Sequence, residues 1–200
     1  IAGVGKQEII ISNNDSFDKL YEFHFEKRDW LFGYLSYDLK NEIEKLKSKN
    51  DDKFFADNML FFIPEYVLLL KDGNLEIQTE NEKYVCDDFV KSFNFLSFPS
   101  DSLKVNFTKR DEKLTYLNKI KKIKEHIQAG DIYEMNYCQE FYAKEINIVP
   151  EAIFLKLNQR MKAPFSSFLK LKDKYVLSAS PERFLRKKAN QVLSQPIKGT

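Results

Sequence analysis

Between residues 111 and 129 the apolar side chains Leu114, Leu117, Ile120, Ile123 and Ile127 recur at helical spacing and stop at Gly130, a residue suited to the left-handed turn that ends helices. The period then changes. After a helix opened by Pro150, with Ile153, Phe154, Leu157 and Met161 on one face, three extended segments follow at 167–171, 174–179 and 184–197. Turns are expected near Asp173 and at Lys188-Ala189-Asn190. Helices and short, turn-linked strands together give a mixed α and β pattern, in which the last three extended segments are expected to form an antiparallel meander.

The first half follows the same grammar. Phe17, Leu20, Tyr21 and His24 predict a helix after the capping-type stretch Asn13-Asn14-Asp15-Ser16. A strand is expected at 30–36 and a surface helix at 38–47, with Leu39, Ile43 and Leu46 on one face. The segments 59–71 and 74–79 flank Asp72-Gly73 and predict a hairpin, with Pro64 confining its first strand to an edge or a bulge. A helix and a loop around Pro99 are expected over 80–102, and strand-like character over 103–107. The division into lobes is expected there, at 1–102 and 103–200.

Composition removes several function classes. The charges nearly cancel, 32 basic against 30 acidic residues, and both signs are interspersed, so no electrostatic footprint for nucleic acid exists. No apolar run approaches the roughly 20 residues that span a bilayer, and the first residues are too weakly apolar for a signal peptide. A cytoplasmic protein is expected. Cys86 and Cys138 form no CxxC pair, and only His24 and His126 could join them, which disfavours a disulfide framework or a zinc site. The chain begins at Ile1 and stops at Gly199-Thr200 directly after an extended segment, and is expected to be a piece of something longer.

No Gly-rich phosphate loop, HExxH, GxSxG or Cys-His pair is present. What stands out is polar residues where a strand should pack: Asp131, Glu134, Asn136, Cys138 and Gln139 after the Gly130 stop, Glu182 after Pro181, and Lys198 between Ile197 and Gly199. On a strand Lys198 and Thr200 would face the same way and could line a pocket. Each also has an ordinary explanation. Lys198 fits a solvated edge residue, Glu182 a turn residue, and 131–139 the wet face of a half-buried strand.

The same segments carry a resemblance. Gly130-Asp131-Ile132-Tyr133-Glu134-Met135-Asn136-Tyr137-Cys138-Gln139-Glu140-Phe141 resembles the GDIYQVNLSQRF-type segment of the chorismate-binding enzymes, the family of anthranilate, aminodeoxychorismate, isochorismate and salicylate synthases. Ser178-Ala179-Ser180-Pro181-Glu182-Arg183-Phe184-Leu185 is similar to its S-x-SPERFL signature, and Pro196-Ile197-Lys198-Gly199-Thr200 to its PI-[AK]-GT signature. The order and gaps match. Similarity over 111–200 is close, and over the first half looser, through Trp30-Leu31-Phe32-Gly33-Tyr34-Leu35-Ser36-Tyr37-Asp38-Leu39.

The resemblance implies a large α+β fold of which this chain supplies about half, and an activity on chorismate. It implies that Lys198 is a covalent nucleophile, as in members that aminate chorismate to 4-amino-4-deoxychorismate in folate biosynthesis, where anthranilate-forming members usually carry Ala. Glu182 becomes the general acid. Apart from the resemblance, the backbone N–H groups of Gly199 and Thr200 and the Thr200 hydroxyl are expected to hydrogen-bond substrate oxygens, since glycine permits close approach. Isochorismate-forming members place a Lys base near the position of Glu134, which speaks against that reaction. The implied cofactor is Mg2+, with ligands expected beyond Thr200 and none within the chain, and the implied partner is a glutamine amidotransferase subunit that supplies ammonia. An anthranilate-forming enzyme and a non-catalytic interaction module are the competing readings. The loose P-x-PY match at Ala163-Pro164-Phe165-Ser166-Ser167-Phe168 leaves tryptophan binding open.

Overall fold

The computed structural model describes residues 1–49, 54, 57–80 and 105–197. The chain divides into two compact units, Ile1–Leu96 and Ser97–Thr200. The helix and loop expected over 80–102 fall almost wholly outside the described residues.

The first unit holds β1 (Ala2–Val4), β2 (Glu8–Ser12), α1 (Ser16–Lys27), β3 (Phe32–Leu35), a 3-10 turn at Tyr37–Leu39 running into α2 (Lys40–Ile43), β4 (Met59–Ile63), β5 (Tyr66–Lys71) and β6 (Asn74–Gln78). They build two three-stranded antiparallel sheets, ordered β2-β4-β3 and β1-β5-β6. The segment 59–71, read as one strand, is two. Pro64 has no N–H to give a ladder, so pairing ends at Ile63 and resumes at Tyr66 in the other sheet. Both halves are central strands, which corrects the edge assignment. Chain 2–12 crosses between the sheets beside it: the Glu65 N–H donates to the Val4 carbonyl at 3.0 Å and the Gln7 N–H to Ile63 at 3.0 Å. Gly5 sits at that corner with φ +73, where a Cβ would come within 2.5 Å of the Glu65 carboxylate.

The hairpin at Asp72-Gly73 is as expected. Both residues have positive φ (51° and 81°), the pair of angles a two-residue type I′ turn demands. Among the described residues, the buried apolar side chains Leu39, Met59, Leu60, Ile63 and Val67 all belong to this unit, and β4 supplies three of them.

Helix α1 starts where the sequence places it, but its cap is not local. Asp15 adopts left-handed geometry and its side chain caps nothing. The Glu42 carboxylate takes over: it accepts from the Ser16 N–H (2.8 Å), the Ser16 hydroxyl (2.8 Å) and the Asn58 amide (3.4 Å). An anion there satisfies orphan N–H groups and meets the positive end of the helix dipole. This task also explains why the helix expected over 38–47 stops after Ile43. Glu44 turns to extended backbone, and Lys40, Asp38 and Ser48 bond to one another and fold the following chain back. Leu46 is left exposed rather than completing a stripe.

Burial raises the Glu42 carboxyl, but the Ser16 and Asn58 bonds and nearby Lys19 outweigh it and hold the group below its ordinary value of 4.5. A lowered folded pKa stabilises the fold above the unfolded value and withdraws that stability as pH falls through the folded one. Thermal melts of Glu42→Gln should therefore show a loss of about 1–3 kcal/mol at pH 7 and a shallower decline below pH 4.5 than the parent. Parallel decline of both proteins with acid would contradict this role.

The second unit contains β7 (Thr108–Lys109), α3 (Lys113–Ala129), β8 (Phe141–Tyr142), α4 (Pro150–Met161), β9 (Phe165–Leu171), β10 (Lys174–Ser180), β11 (Arg183–Lys188) and β12 (Gln191–Gln195). Helix α3 matches its expected span, and Gly130 caps it at φ 80. Its apolar stripe has the right period yet no residue of the helix is buried; Leu114 is 71% exposed. Strands β9 and β10 form a full-length hairpin, with Ser178 opposite Ser167, and α4 packs on it, the Phe154 ring lying 5.5 Å from that of Phe168 on β9. The segment 184–197 is itself a hairpin, turning at Ala189 with φ 50.

Two expectations need correction here. The three extended segments do not make one meander, because β9-β10 and β11-β12 are separate two-stranded sheets. The break falls at Ser180-Pro181-Glu182, where the Ser180 hydroxyl donates to the Glu182 carbonyl (2.9 Å) and accepts from its N–H (3.3 Å). Strand character expected at 103–107 is absent from 105–107 and appears instead at Thr108–Lys109, which pairs with β8.

Candidate functional site

Glu182 occupies the turn between β10 and β11. Its backbone is fixed by the two hydrogen bonds with the Ser180 hydroxyl, and the residue is half-buried. A short turn of this kind suits a carboxyl that must be presented at a strand end, since strands on both sides hold its position. The next residue, Arg183, lays its guanidinium over the Phe165 ring at 4.7 Å, and its Nε is buried with no hydrogen-bond partner. Lys198, Gly199 and Thr200 lie outside the described residues, so their expected meeting with Glu182 is not placed. The last described element before them is β12, ending at Gln195.

Residues 131–140 are not the strand their composition suggests. They have no ladder partner until Phe141. Their hydrogen bonds run to two places instead. At the start, the Asp131 N–H donates to the His126 carbonyl (3.0 Å) and its carboxylate meets His126 Nδ1 (2.7 Å), which completes the α3 cap. At the end, Arg110 and Asp111 hold the chain. The Arg110 N–H donates to the Glu140 carbonyl (2.8 Å), and its guanidinium forks onto the Glu140 carboxylate (2.7 and 2.8 Å). The Tyr137 hydroxyl donates to Asp111 Oδ2, and Gln139 Nε2 to the Asp111 carbonyl at 3.0 Å. Between these anchors Tyr133, Glu134, Met135 and Asn136 face solvent.

Asp111 is the centre of that end. Lys119, two turns along α3, donates to both carboxylate oxygens at 2.9 and 2.8 Å. The Lys119 ammonium first, and the Tyr137 hydroxyl second, hold Asp111 below the usual carboxylate range, and the same contacts push Lys119 up. Sequence spacing singles out neither Asp111 nor Lys119, because Tyr137 is 26 residues away from its carboxylate partner.

Magnesium takes near-octahedral oxygen coordination, usually from carboxylates together with substrate and water. Among the described residues no three His, Cys, Asp or Glu side chains lie together. Asp111 is already engaged by a cation and a hydroxyl, and Glu182 alone brings one carboxylate where the ion needs near-octahedral oxygen coordination. A depression of about 350 Å³ on α3 is lined by Leu117, Ile120, Lys121, Lys124, Glu125 and Gln128, none of which belongs to a motif segment. Among the described residues no helix is long and apolar enough to cross a membrane.

Comparison with known proteins places this geometry. The solved anthranilate synthase component I of Streptococcus pneumoniae superposes with a TM-score of 0.74 at 17% identity, over 95% of this chain and 52% of that one. The architecture is therefore the α+β fold of that structure. Aminodeoxychorismate synthase component 1 of Escherichia coli K12 is 28% identical over 170 residues, which are 84% of this chain and 37% of the relative. The aminodeoxychorismate synthase of Saccharomyces cerevisiae is 33% identical over 199 residues, 85% of this chain and 25% of the relative. The chain thus spans well under half the length of these relatives. Residues 5–200 match the chorismate binding enzyme family, and the chain belongs to that family.

Proposed function

We propose that the protein carrying this chain converts chorismate and ammonia to 4-amino-4-deoxychorismate, with a glutamine amidotransferase subunit supplying the ammonia in the cytoplasm. The observation that carries this reading is Lys198 within Pro196-Ile197-Lys198-Gly199-Thr200, where anthranilate-forming relatives usually have Ala. Similarity to two aminodeoxychorismate synthases supports it.

The steps follow from the residue chemistry. Lys198 Nζ, as the neutral amine, bonds to a ring carbon of chorismate, and the ring hydroxyl departs with its electron pair. Glu182, as the carboxylic acid, gives that oxygen a proton, so that it leaves as water. Ammonia then bonds to the ring and returns the amine to Lys198. Backbone N–H groups of Gly199 and Thr200, with the Thr200 hydroxyl, donate to substrate oxygens, an approach that glycine leaves open. The reading includes a magnesium ion held by carboxylates outside residues 1–200, and no step is routed through it.

Glu182→Gln tests the proton donor. The amide has the same shape but no acidic proton, and a general acid contributes about 10²–10⁴-fold. Turnover should fall by that factor in the complete enzyme, with the melting temperature within about 2 °C of the parent, because the Ser180 bonds are to backbone and survive. A lowered melting temperature with unchanged turnover per folded molecule would make Glu182 a turn residue only. Product identification by chromatography separates aminodeoxychorismate from anthranilate, the competing outcome.

A further inference from the structure

Glu182 has a strand on either side, but the two belong to different sheets, and among the described residues no ladder bond joins the β9-β10 hairpin to the β11-β12 hairpin. The Ser180 hydroxyl fixes the Glu182 backbone to the end of β10. It does not fix the direction in which β11 departs. The ladder of β11 itself gives thin support there: Arg183 pairs with Gln195, the register then slips, and pairing resumes at Arg186 with Leu193. Phe184 and Leu185, in the slipped stretch, are exposed. A side-chain contact spans the gap. Phe165 opens β9 opposite Ser180, the last residue of β10, and Arg183, the first residue of β11, lays its guanidinium over that ring at 4.7 Å. The two hairpins are thereby joined one residue away from Glu182. A cation–π contact strengthens as water is removed, and this one is partly dry: Phe165 and Arg183 are both half-buried. Arg183 Nε is buried without a hydrogen-bond partner, so the stack is made at the expense of a hydrogen bond that an arginine turned to water would keep.

We propose that Arg183 is a positioning residue for Glu182: its stack on Phe165 braces the β11-β12 hairpin against the β9-β10 hairpin, and so fixes the direction in which the Glu182 carboxyl is presented. The catalytic consequence rests on the reading of Glu182 as the proton donor. The brace itself lies wholly within the described residues. Because Arg183 acts through the turn, its loss falls on alignment of the acid with the departing oxygen more than on capture of chorismate.

The test uses the complete enzyme and four variants: Arg183→Met, which keeps the stem but not the cation, Phe165→Leu, the two combined, and Phe165→Tyr, which keeps the ring face. Two readouts are taken. One is kcat and KM for chorismate. The other is the distance between spin labels at the exposed tips of the two hairpins, on Asp173→Cys and Asn190→Cys in enzyme whose other cysteines are replaced, measured by pulsed electron resonance. Arg183→Met and Phe165→Leu should each broaden the distance distribution and lower kcat by about 30-fold with KM within about threefold. The double variant should lose about 30-fold as well, not the roughly 10³-fold of independent losses, because both changes break one contact. Phe165→Tyr should match the parent in both readouts. Parent-like distances in Arg183→Met and Phe165→Leu would overturn the brace. Multiplied losses in the double variant would overturn it too, by giving the two residues separate tasks. Broadened distances beside normal turnover in Glu182→Gln would overturn the positioning role, and would show that the reading of Glu182, not the brace, is what failed.

Discussion

Replacing Lys198 by Ala in the complete enzyme should lower aminodeoxychorismate formation by about 10⁴-fold or more while chorismate affinity stays within about tenfold. A nucleophile acts on the transition state and the covalent intermediate, and contributes little to ground-state binding. Lysine with an ordinary pKa of about 10.4 is almost wholly protonated at neutral pH, so the site must favour the neutral amine through exclusion of water or a cationic neighbour. Lys198→Arg should then be as inactive as Lys198→Ala, because guanidinium keeps its proton at any working pH and has no free lone pair to offer. Mass spectrometry of enzyme denatured during turnover should find a chorismate-derived adduct on the peptide that holds Lys198. Near-normal turnover in Lys198→Ala would end the covalent reading and return Pro196-Ile197-Lys198-Gly199-Thr200 to the ordinary edge-strand explanation.

The elements that could be read in the sequence are those whose signals are local. Leu114 to Ile127 at helical spacing with Gly130 behind them gave α3, Pro150 gave α4, and Asp72-Gly73 gave the β5-β6 hairpin with both residues at positive φ. Each rests on contacts within about four residues, which is the range over which pattern and propensity act. Three of the misreadings involve partners far along the chain. Glu42 leaves its own helix short because it caps Ser16, 26 residues earlier. Pro64 passes the chain to a second sheet because β1 and β2 run beside it. Residues 131–140, aromatic and β-prone, stay out of a ladder because Asp111 and Arg110 take their polar groups.

The candidate site divides the same way. Glu182 was legible as a turn residue, and the turn lies between β10 and β11 where the Ser180 hydroxyl bonds its backbone. Asp111 was not legible, since an aspartate before a helix reads as a start signal and nothing in its spacing points to Tyr137. The exposure of Leu114 on α3 and of Phe184 on β11 was equally hidden, because period reveals which side chains share a face and not what covers it.

Gly33→Ala should cost the first unit about 3 kcal/mol or more, a fall of at least roughly 12 °C in its melting temperature. Gly33 is not buried, and by exposure alone a methyl group there would be harmless. What forbids it is backbone. A Cβ would stand 2.0 Å from the Leu60 carbonyl oxygen and 2.7 Å from Phe61 Cα, and neither can rotate aside as a side chain could. Relief requires β3 to move away from β4, to which Phe32–Leu35 is paired with Gly33 opposite Phe61 and Leu35 opposite Met59. Strand β4 carries Met59, Leu60 and Ile63, three of the five buried apolar side chains among the described residues, so a shift in its neighbour opens the core as well as the ladder. Gly73→Ala makes the matched control. It has φ +81 but nothing within 4 Å of a Cβ, so only the left-handed backbone penalty of about 1 kcal/mol applies. Thermal melts of the two variants should therefore differ by roughly 2 kcal/mol or more. Equal losses would mean that β3 yields without disturbing β4, and that the close approach at Gly33 places no constraint on the fold.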